Sequence, residues 1–423
     1  MSRADPIVFY FPYRGVGGVS MLFLRLAERL KRERRVFLAD YSDGYMAKRL
    51  PEGVNLIAID AAPVFPREAV YVFQSFLPWR FPFVAQVDPA ARILFWNLHP
   101  KNFNPELFNA AHDRAGIAWM AKLLNRLSGP RERRTRSVVS FLLRHMALVF
   151  MDLENVRSTE ALTGMPIKDP QLLPLVVPRA EPGARVNHAA PASPLRCAWV
   201  GRIADFKWPI LEHVIARLRD ASGVVGSIRL AVIGEGEFKQ RMQQFAAEHA
   251  TKAFSVDFLG DLPPEELAAY LRDQVDVLFA MGTSALEGAR LGLPVFVLDY
   301  SYKRVDAKYR FRFLFERAKY DLAEEISAAH CEQTSSLEGS IQALLADYRG
   351  HSERCLRFCE NYYGLESVAP SFLQHCGGTR ATFGDMAKLG FFEPDAIGRV
   401  LRSVAWTARG RAGESVVGFR NDC

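Results

Sequence analysis

Two series of short, continuous apolar runs, each followed by a stretch of helical periodicity, occupy most of this chain. In the first series the runs are Ile7 to Phe11, Val36 to Asp40, Leu56 to Asp60, Ile93 to Asn97 and Ala147 to Met151. In the second they are Cys197 to Val200, Ile228 to Ile233, Phe254 to Leu259, Val275 to Ala280 and Val295 to Leu298. Runs that are apolar throughout, rather than at alternate positions, belong to strands buried on both faces, which parallel sheets covered by helices provide. The clearest covering helix is Val19 to Leu30, where Val19, Leu22, Phe23, Leu26 and Leu30 keep the three-and-four spacing of one apolar face. Between the series, from Leu172 to Leu195, Pro174, Pro178, Pro182, Pro191 and Pro194 exclude both a helix and a central strand. The pattern predicts an α/β chain with two Rossmann-like doubly wound domains, residues 1–185 and 195–375, facing across a cleft, and a helical tail over 376–423 that docks back on the N-terminal domain. A chain of 423 residues is long enough to bury two such cores.

Composition narrows the class. With 49% hydrophobic and 24% charged residues the chain reads as globular. The longest apolar stretch, Val138 to Met151, is broken by Arg144 and His145 and is too short to span a bilayer. Met1 to Pro6 leads straight into a strand-like run without an export signal, so the expected location is cytoplasmic, peripheral at the inner face of a membrane. The six cysteines show no paired spacing for zinc, and no metal or cofactor is expected; Cys355 and Cys359 read as two buried side chains on one helix face. A net charge of +7 suits an anionic partner. The basic clusters Lys31 to Arg35 and Arg131 to Arg136 read as solvated helix ends and lack interleaved aromatics, so no nucleic-acid partner is expected. Phe383 to Arg411 mixes Phe391, Phe392, Leu401 and Trp406 with Arg399, Arg402, Arg409 and Arg411, the pattern of a docked helix or of a basic amphipathic element on an anionic membrane.

The candidate site residues sit where runs end and helices begin. Arg14 to Val19, with Gly17 and Gly18, follows the first run and has the shape of an acceptor or phosphate loop. His99 follows the Ile93 to Asn97 run, at the edge where a sugar or acceptor would be met. Gly201 and Arg202 end the first run of the second series, and Lys207 precedes the next helix. Two cations there can stabilise charge growing on a leaving diphosphate without a metal. Gly234 and Gly236 allow a sharp turn at the ligand-facing edge after the next run. Asp276 to Val295 reads as strand, glycine turn, helix and strand, with Gly282, Thr283 and Ser284 offering backbone amides to a diphosphate and Glu287 placed to accept from ribose hydroxyls. Ser284 and Glu287 also have capping-box spacing, which would satisfy only their own helix.

Taken as a set, Gly17-Gly18-Val19, His99, Val200-Gly201-Arg202 with Lys207, Ile233 to Gly236, Phe258 to Gly260 with Glu266 to Tyr270, and Leu286 to Ala289 with Gly292 to Val295 resemble the retaining glycosyltransferases of the GT-B fold, family 4 in particular. The resemblance implies that Arg202 and Lys207 hold the diphosphate of a nucleotide-sugar, UDP- or GDP-linked, and that Glu287 holds its ribose. It also implies metal-independent transfer with retention to a glycan or lipid-linked acceptor, in surface polysaccharide or lipopolysaccharide synthesis. The family carries a second glutamate, eight positions before the one matched by Glu287, that meets the donor sugar. That position is Phe279 here, on a shortened loop.

Two other readings share the fold. A nucleotide-sugar 2-epimerase would need further acid and base groups, and His213, His249 and His330 do not sit at strand ends. A catalytically silent partner of the same fold is suggested by Phe279.

Overall fold

The structure, a computed structural model, describes residues 5–15, 17–104, 129–180, 191–331 and 336–393. The chain divides into two compact units, Met1–Pro174 with Val368–Cys423, and Leu175–Ser367. The division thus falls at the start of the proline-rich stretch, and the return to the first unit begins at Val368, ahead of position 376.

The first unit is built on a fully parallel six-stranded sheet of β1 (Ile7–Tyr10), β2 (Val36–Asp40), β3 (Asn55–Ala58), β4 (Val70–Gln74), β5 (Arg92–Asn97) and β6 (Leu148–Phe150), in the order β3-β2-β1-β4-β5-β6. The sequence reading passes over β4, although all five of its residues are buried and Val70 to Phe73 is as apolar as the other runs. Helix Gly18–Leu30 covers one face through Leu22, Phe23, Leu26 and Leu30. Phe9 lies 4.8 Å from the Phe23 ring and 5.5 Å from Phe372 in the returning segment. On the opposite face Phe73 packs against Phe81 and Phe95, each 5.4 Å away, and Phe383 lies edge-on to Tyr71 at 5.1 Å. Such offset and edge contacts suit the ring quadrupole.

The returning segment is tied to this unit by main-chain hydrogen bonds as well. Ile93 N donates to Ala381 O at 2.9 Å and Arg380 N to His145 O at 2.8 Å. Within the Arg131 to Arg136 cluster two cations are structural rather than solvated: Arg131 is buried, and Arg134 stacks on Trp79 while donating to the carbonyls of Gly390 and Glu393. The predicted membrane-facing residues Arg399, Leu401, Arg402, Trp406, Arg409 and Arg411 lie outside the described residues. Among the described residues no helix is long and apolar enough to cross a membrane.

The second unit repeats the plan with β7 (Leu195–Val200), β8 (Ile228–Ile233), β9 (Phe254–Gly260), β10 (Val277–Ala280), β11 (Val295–Val297) and an antiparallel edge strand β12 (Arg312–Phe313), in the order β12-β11-β10-β7-β8-β9. Helices Trp208–Val225 and Leu337–Ala346 pack on the face that carries Trp199 and Phe279. Helices Thr283–Arg290 and Tyr348–Tyr363 pack on the face that carries Ala198, Leu278 and Ala280, with Cys355 and Cys359 buried between them and the sheet.

Just past β11 the wholly buried Asp299 gathers four groups. Arg317 grips both of its oxygens at 2.6 and 3.0 Å, Tyr309 donates from its hydroxyl at 3.0 Å, Glu324 donates its amide at 3.0 Å, and Arg312 adds a contact at 3.3 Å. Burial raises the Asp299 carboxyl, but Arg317 and the hydrogen bonds outweigh it and hold the group below its ordinary value. Its contribution to stability is therefore present above the unfolded carboxylate range near ~4 and is lost as pH falls through the lower, folded value. Replacing Arg317 with Ala leaves this charge buried without its main partner, and we expect a loss of about 3–5 kcal/mol in urea unfolding of the second unit at neutral pH. Because the variant loses the group that lowers Asp299, its stability should fall less steeply on acidification than that of the wild type.

Candidate functional site

Both sheets have the strand order in which β-α-β units are laid outward from the first strand on one side and then restart on the other. The connections after the first and fourth strands leave in opposite directions, which opens a crevice at their carboxyl ends. In the second unit those strands are β7 and β10, paired in register from Val277↔Cys197 to Ala280↔Val200. Gly201 and Met281 therefore leave the sheet side by side, about 5 Å apart as neighbouring strands are. The sequence-predicted groups Gly201, Arg202, Lys207, Gly282, Thr283 and Ser284 all arise from these two strand ends.

The loop after β7 is held by the loop after β8. Gly201 N donates to Ile233 O at 3.0 Å, Ile203 N to Glu235 O at 2.9 Å, and Phe238 N to Ile203 O at 3.3 Å. A Cβ on Gly234 would lie 2.1 Å from the Gly201 carbonyl oxygen, and one on Gly236 would lie 2.3 Å from that of Ile203. Their missing side chains make room for the neighbouring loop's backbone.

Lys207 caps helix Trp208–Val225 and turns its ammonium back over the loop, 3.5 Å from where a Gly201 Cβ would stand and 5.5 Å from the Phe206 ring. Among the described residues no carboxylate pairs with it. Burial and the nearby Arg202 guanidinium lower its pKa from the ordinary lysine value. Arg202 is exposed and makes one long ion pair, 3.4 Å, with Glu237. The buried indole N–H of Trp199, beneath the same loop, has no acceptor among the described residues.

Across the crevice, Gly282 at φ +61° reverses the chain and heads helix Thr283–Arg290, whose first turn has neither a side-chain cap nor an acidic residue. Left-handed φ is open to glycine at little cost, and a glycine cap leaves the helix-end amides uncovered. The capping box anticipated between Ser284 and Glu287 is not formed, because the helix begins at Thr283 and Ser284 lies inside its first turn. Glu287 is instead paired to Arg290 at 2.5 Å, one turn along. The spacing that assigns Phe279 to the family's first glutamate leads into the core: the ring is fully buried and stacks on Phe296 at 5.0 Å. A residue facing the crevice has to come from the shortened turn at Met281 and Gly282 instead.

In the first unit Gly17, extended at φ −152°, is the cap of helix Gly18–Leu30, again without a side-chain cap or acidic first turn. The surroundings differ in charge, since Asp40, Asp43 and Asp60 gather about this loop. Asp40 accepts from the amides of Tyr13, Tyr41, Met46 and Ala47, and Arg14 lies over the Tyr41 ring while paired to Asp43 at 2.8 Å. His99 sits in a tight turn past β5 where its Nδ1 accepts the Lys101 amide at 3.0 Å, which places the proton of the neutral ring on Nε2. Burial, with Lys101 adding to it, lowers its pKa and keeps that neutral form.

Sequence reasoning missed Glu237, Arg290, Trp199 as an orphan donor, and the Leu322 carbonyl that accepts from Gly282 N at 3.1 Å. The three-residue spacing of Glu287 and Arg290 could have shown their pairing. No local signal could have placed Leu322.

No protein-family model matches the chain, and no curated protein sequence matches it. Solved structures do. A glycosyltransferase from Rickettsia africae ESF-5 is 11% identical, with a TM-score of 0.51 over 88% of this chain and 97% of its own. The lipopolysaccharide outer core galactosyltransferase WaaB is 10% identical, with a TM-score of 0.50 over 88% of this chain and 99% of its own. Likeness at this identity establishes the fold: an α/β chain of two Rossmann-like units, the GT-B class.

The roles of the glycines can be tested directly. Gly234→Ala should cost on the order of 3 kcal/mol in urea unfolding, since its Cβ meets immovable backbone at a φ of +140°. Gly18→Ala, with open space around its Cβ, should stay within about 1 kcal/mol of wild type.

Proposed function

We propose that the chain is a glycosyltransferase that takes a sugar from a UDP- or GDP-linked donor held by its second unit and passes it to a glycan or lipid-linked acceptor in cell-surface polysaccharide synthesis. The observation that carries this reading is the Lys207 ammonium, which has no carboxylate partner among the described residues and stands at the switch point beside a glycine-headed, uncapped helix. A nucleoside diphosphate brings two to three negative charges and several acceptor oxygens, which a cation and free amides match. The exposed pair of Arg202 with Glu237 is of the weak kind that a phosphate can displace.

In the transfer, the bond between the anomeric carbon and the diphosphate oxygen breaks, and its electron pair stays on the diphosphate. Lys207, Arg202 and the amides of Thr283 and Ser284 would stabilise that charge as it forms, in positions fixed before the reaction begins. The acceptor oxygen bonds to the anomeric carbon as its hydroxyl proton passes to an oxygen of the leaving diphosphate, as the resemblance to family 4 implies. Metal independence and retention are part of this proposal, as the same resemblance implies them. The neutral His99, with its proton on Nε2, is a donor suited to a sugar hydroxyl. Glu287 would serve the ribose only by sharing its oxygens with Arg290.

One competing reading is a catalytically silent partner of the same fold, because Phe279 is buried in the core and the turn at Met281 and Gly282 brings no carboxylate to where family members turn one toward the donor sugar. Two measurements separate the readings. With UDP or GDP at a hundredfold excess over its dissociation constant, the wild type should gain about 2.7 kcal/mol of stability, and Lys207→Ala should lose most of that gain. The same variant should lower the rate of sugar transfer or donor hydrolysis by about 10²–10³-fold. A silent protein would show no turnover for the variant to reduce. The lowered pKa of Lys207 adds a pH signature: the ammonium is lost at lower pH than in a free lysine, so donor affinity should decline early on the alkaline side. Lys207→Arg should remove that decline.

A further inference from the structure

The opposite edge of the first sheet holds a second concentration of positive charge. Where β1, β2 and β4 begin, a pocket of about 470 Å³ is lined by Lys31, Arg32, Arg34, Arg35 and Arg67. They come from three places in the fold: the end of helix Gly18–Leu30 and the loop behind it, the entrance to β2, and the turn before β4. Main-chain bonds fix this edge, with Ile7 N donating to Arg35 O and Val70 N to Pro6 O, both at 2.9 Å.

Three carboxylates share the lining, but two of them are engaged elsewhere. Asp5 is paired with Arg92, and Glu33 with Arg29 at 2.5 Å, both arginines outside the pocket. Lys31 is paired with Glu28 at 2.9 Å. Among the described residues, Arg32, Arg34, Arg35 and Arg67 have no carboxylate partner, which leaves four guanidinium groups facing one free carboxylate, that of Glu68. Cations near a helix carboxyl terminus complement its dipole. That accounts for Lys31 and Arg32, but not for Arg35 at a strand entrance or Arg67 on a separate turn. Arg34 donates to the Glu33 carbonyl and Arg35 lies over the Phe37 ring, and neither contact neutralises a charge. Guanidinium groups lining one pocket without a carboxylate partner match the planar, doubly accepting edges of a phosphate.

We propose that this pocket is an anion site, separate from the crevice at the carboxyl edge of the second unit, and that it takes a phosphate-bearing group. The phosphate can come from a lipid headgroup or from a soluble phosphate compound, and one experiment distinguishes them. The full chain and its Arg35→Glu/Arg67→Glu variant are each mixed with vesicles of phosphatidylcholine alone and with vesicles containing one third phosphatidylglycerol. Both proteins are also titrated with inorganic pyrophosphate in a Lys207→Ala/Arg202→Ala background, which takes both cations from the other site. Both substitutions are on exposed side chains, and an unchanged melting curve verifies folding. A lipid source predicts binding to the anionic vesicles only, weakened at least 10-fold in the variant. A soluble source predicts pyrophosphate binding weakened to the same degree. If neither probe binds the wild type, or if the folded variant binds both as tightly as its parent, the proposal is overturned.

Discussion

A sheet that grows outward from its first strand in one direction and then restarts on the other side cannot cover the carboxyl ends of its first and fourth strands with its own connections. Everything else about the site follows from that constraint. In the second unit the uncovered ends are those of β7 and β10, and the residues leaving them are Gly201 and Met281. The chain places a lysine and an arginine on one side of the opening and a helix amino terminus on the other. Both favour negative charge, and each follows its own strand directly in the chain.

The two units show how one topology can be given different electrostatics. Each has a glycine-headed helix after a strand of its switch-point pair, and neither helix has a side-chain cap. In the first unit the loop is ringed by Asp40, Asp43 and Asp60, and its arginine is drawn to Asp43. In the second unit the comparable opening holds Lys207 without a carboxylate partner among the described residues; Glu237 makes one long pair with Arg202, Asp299 is locked by Arg317, and Glu287 faces Arg290. The same fold thus offers a neutral or acidic rim in one unit and a cationic rim in the other. Under the proposed function, the cationic rim would take the donor diphosphate and the first unit the acceptor.

Much of this organisation is legible in the sequence because parallel strands buried on both faces leave unbroken apolar runs, and because the groups that matter follow directly after those runs. Gly201, Arg202, Lys207 and the Gly282 to Ser284 turn are local to their strands, so their meeting needed only the strand order. What escaped depends on groups that approach from afar. Gly234 and Gly236 read as ligand-facing turns, but that the Gly201 to Ile203 backbone packs where their side chains would stand is a contact no spacing rule contains. Phe279 matches a family position by counting, but the shorter loop leaves that position inside the core beside Phe296. β4 was legible and passed over; β12, two residues long and antiparallel, carries too little pattern to be found.

The central claim is that negative charge is gathered at the carboxyl ends of β7 and β10, and hydrogen exchange reads it most directly. Peptides covering 199–208 and 280–290 would be followed with and without saturating UDP or GDP. The account predicts that one of these nucleotides slows exchange in both peptides together, with little change over 13–22 of the first unit. Protection confined to the first unit, or no change with either nucleotide at millimolar concentration, would contradict it.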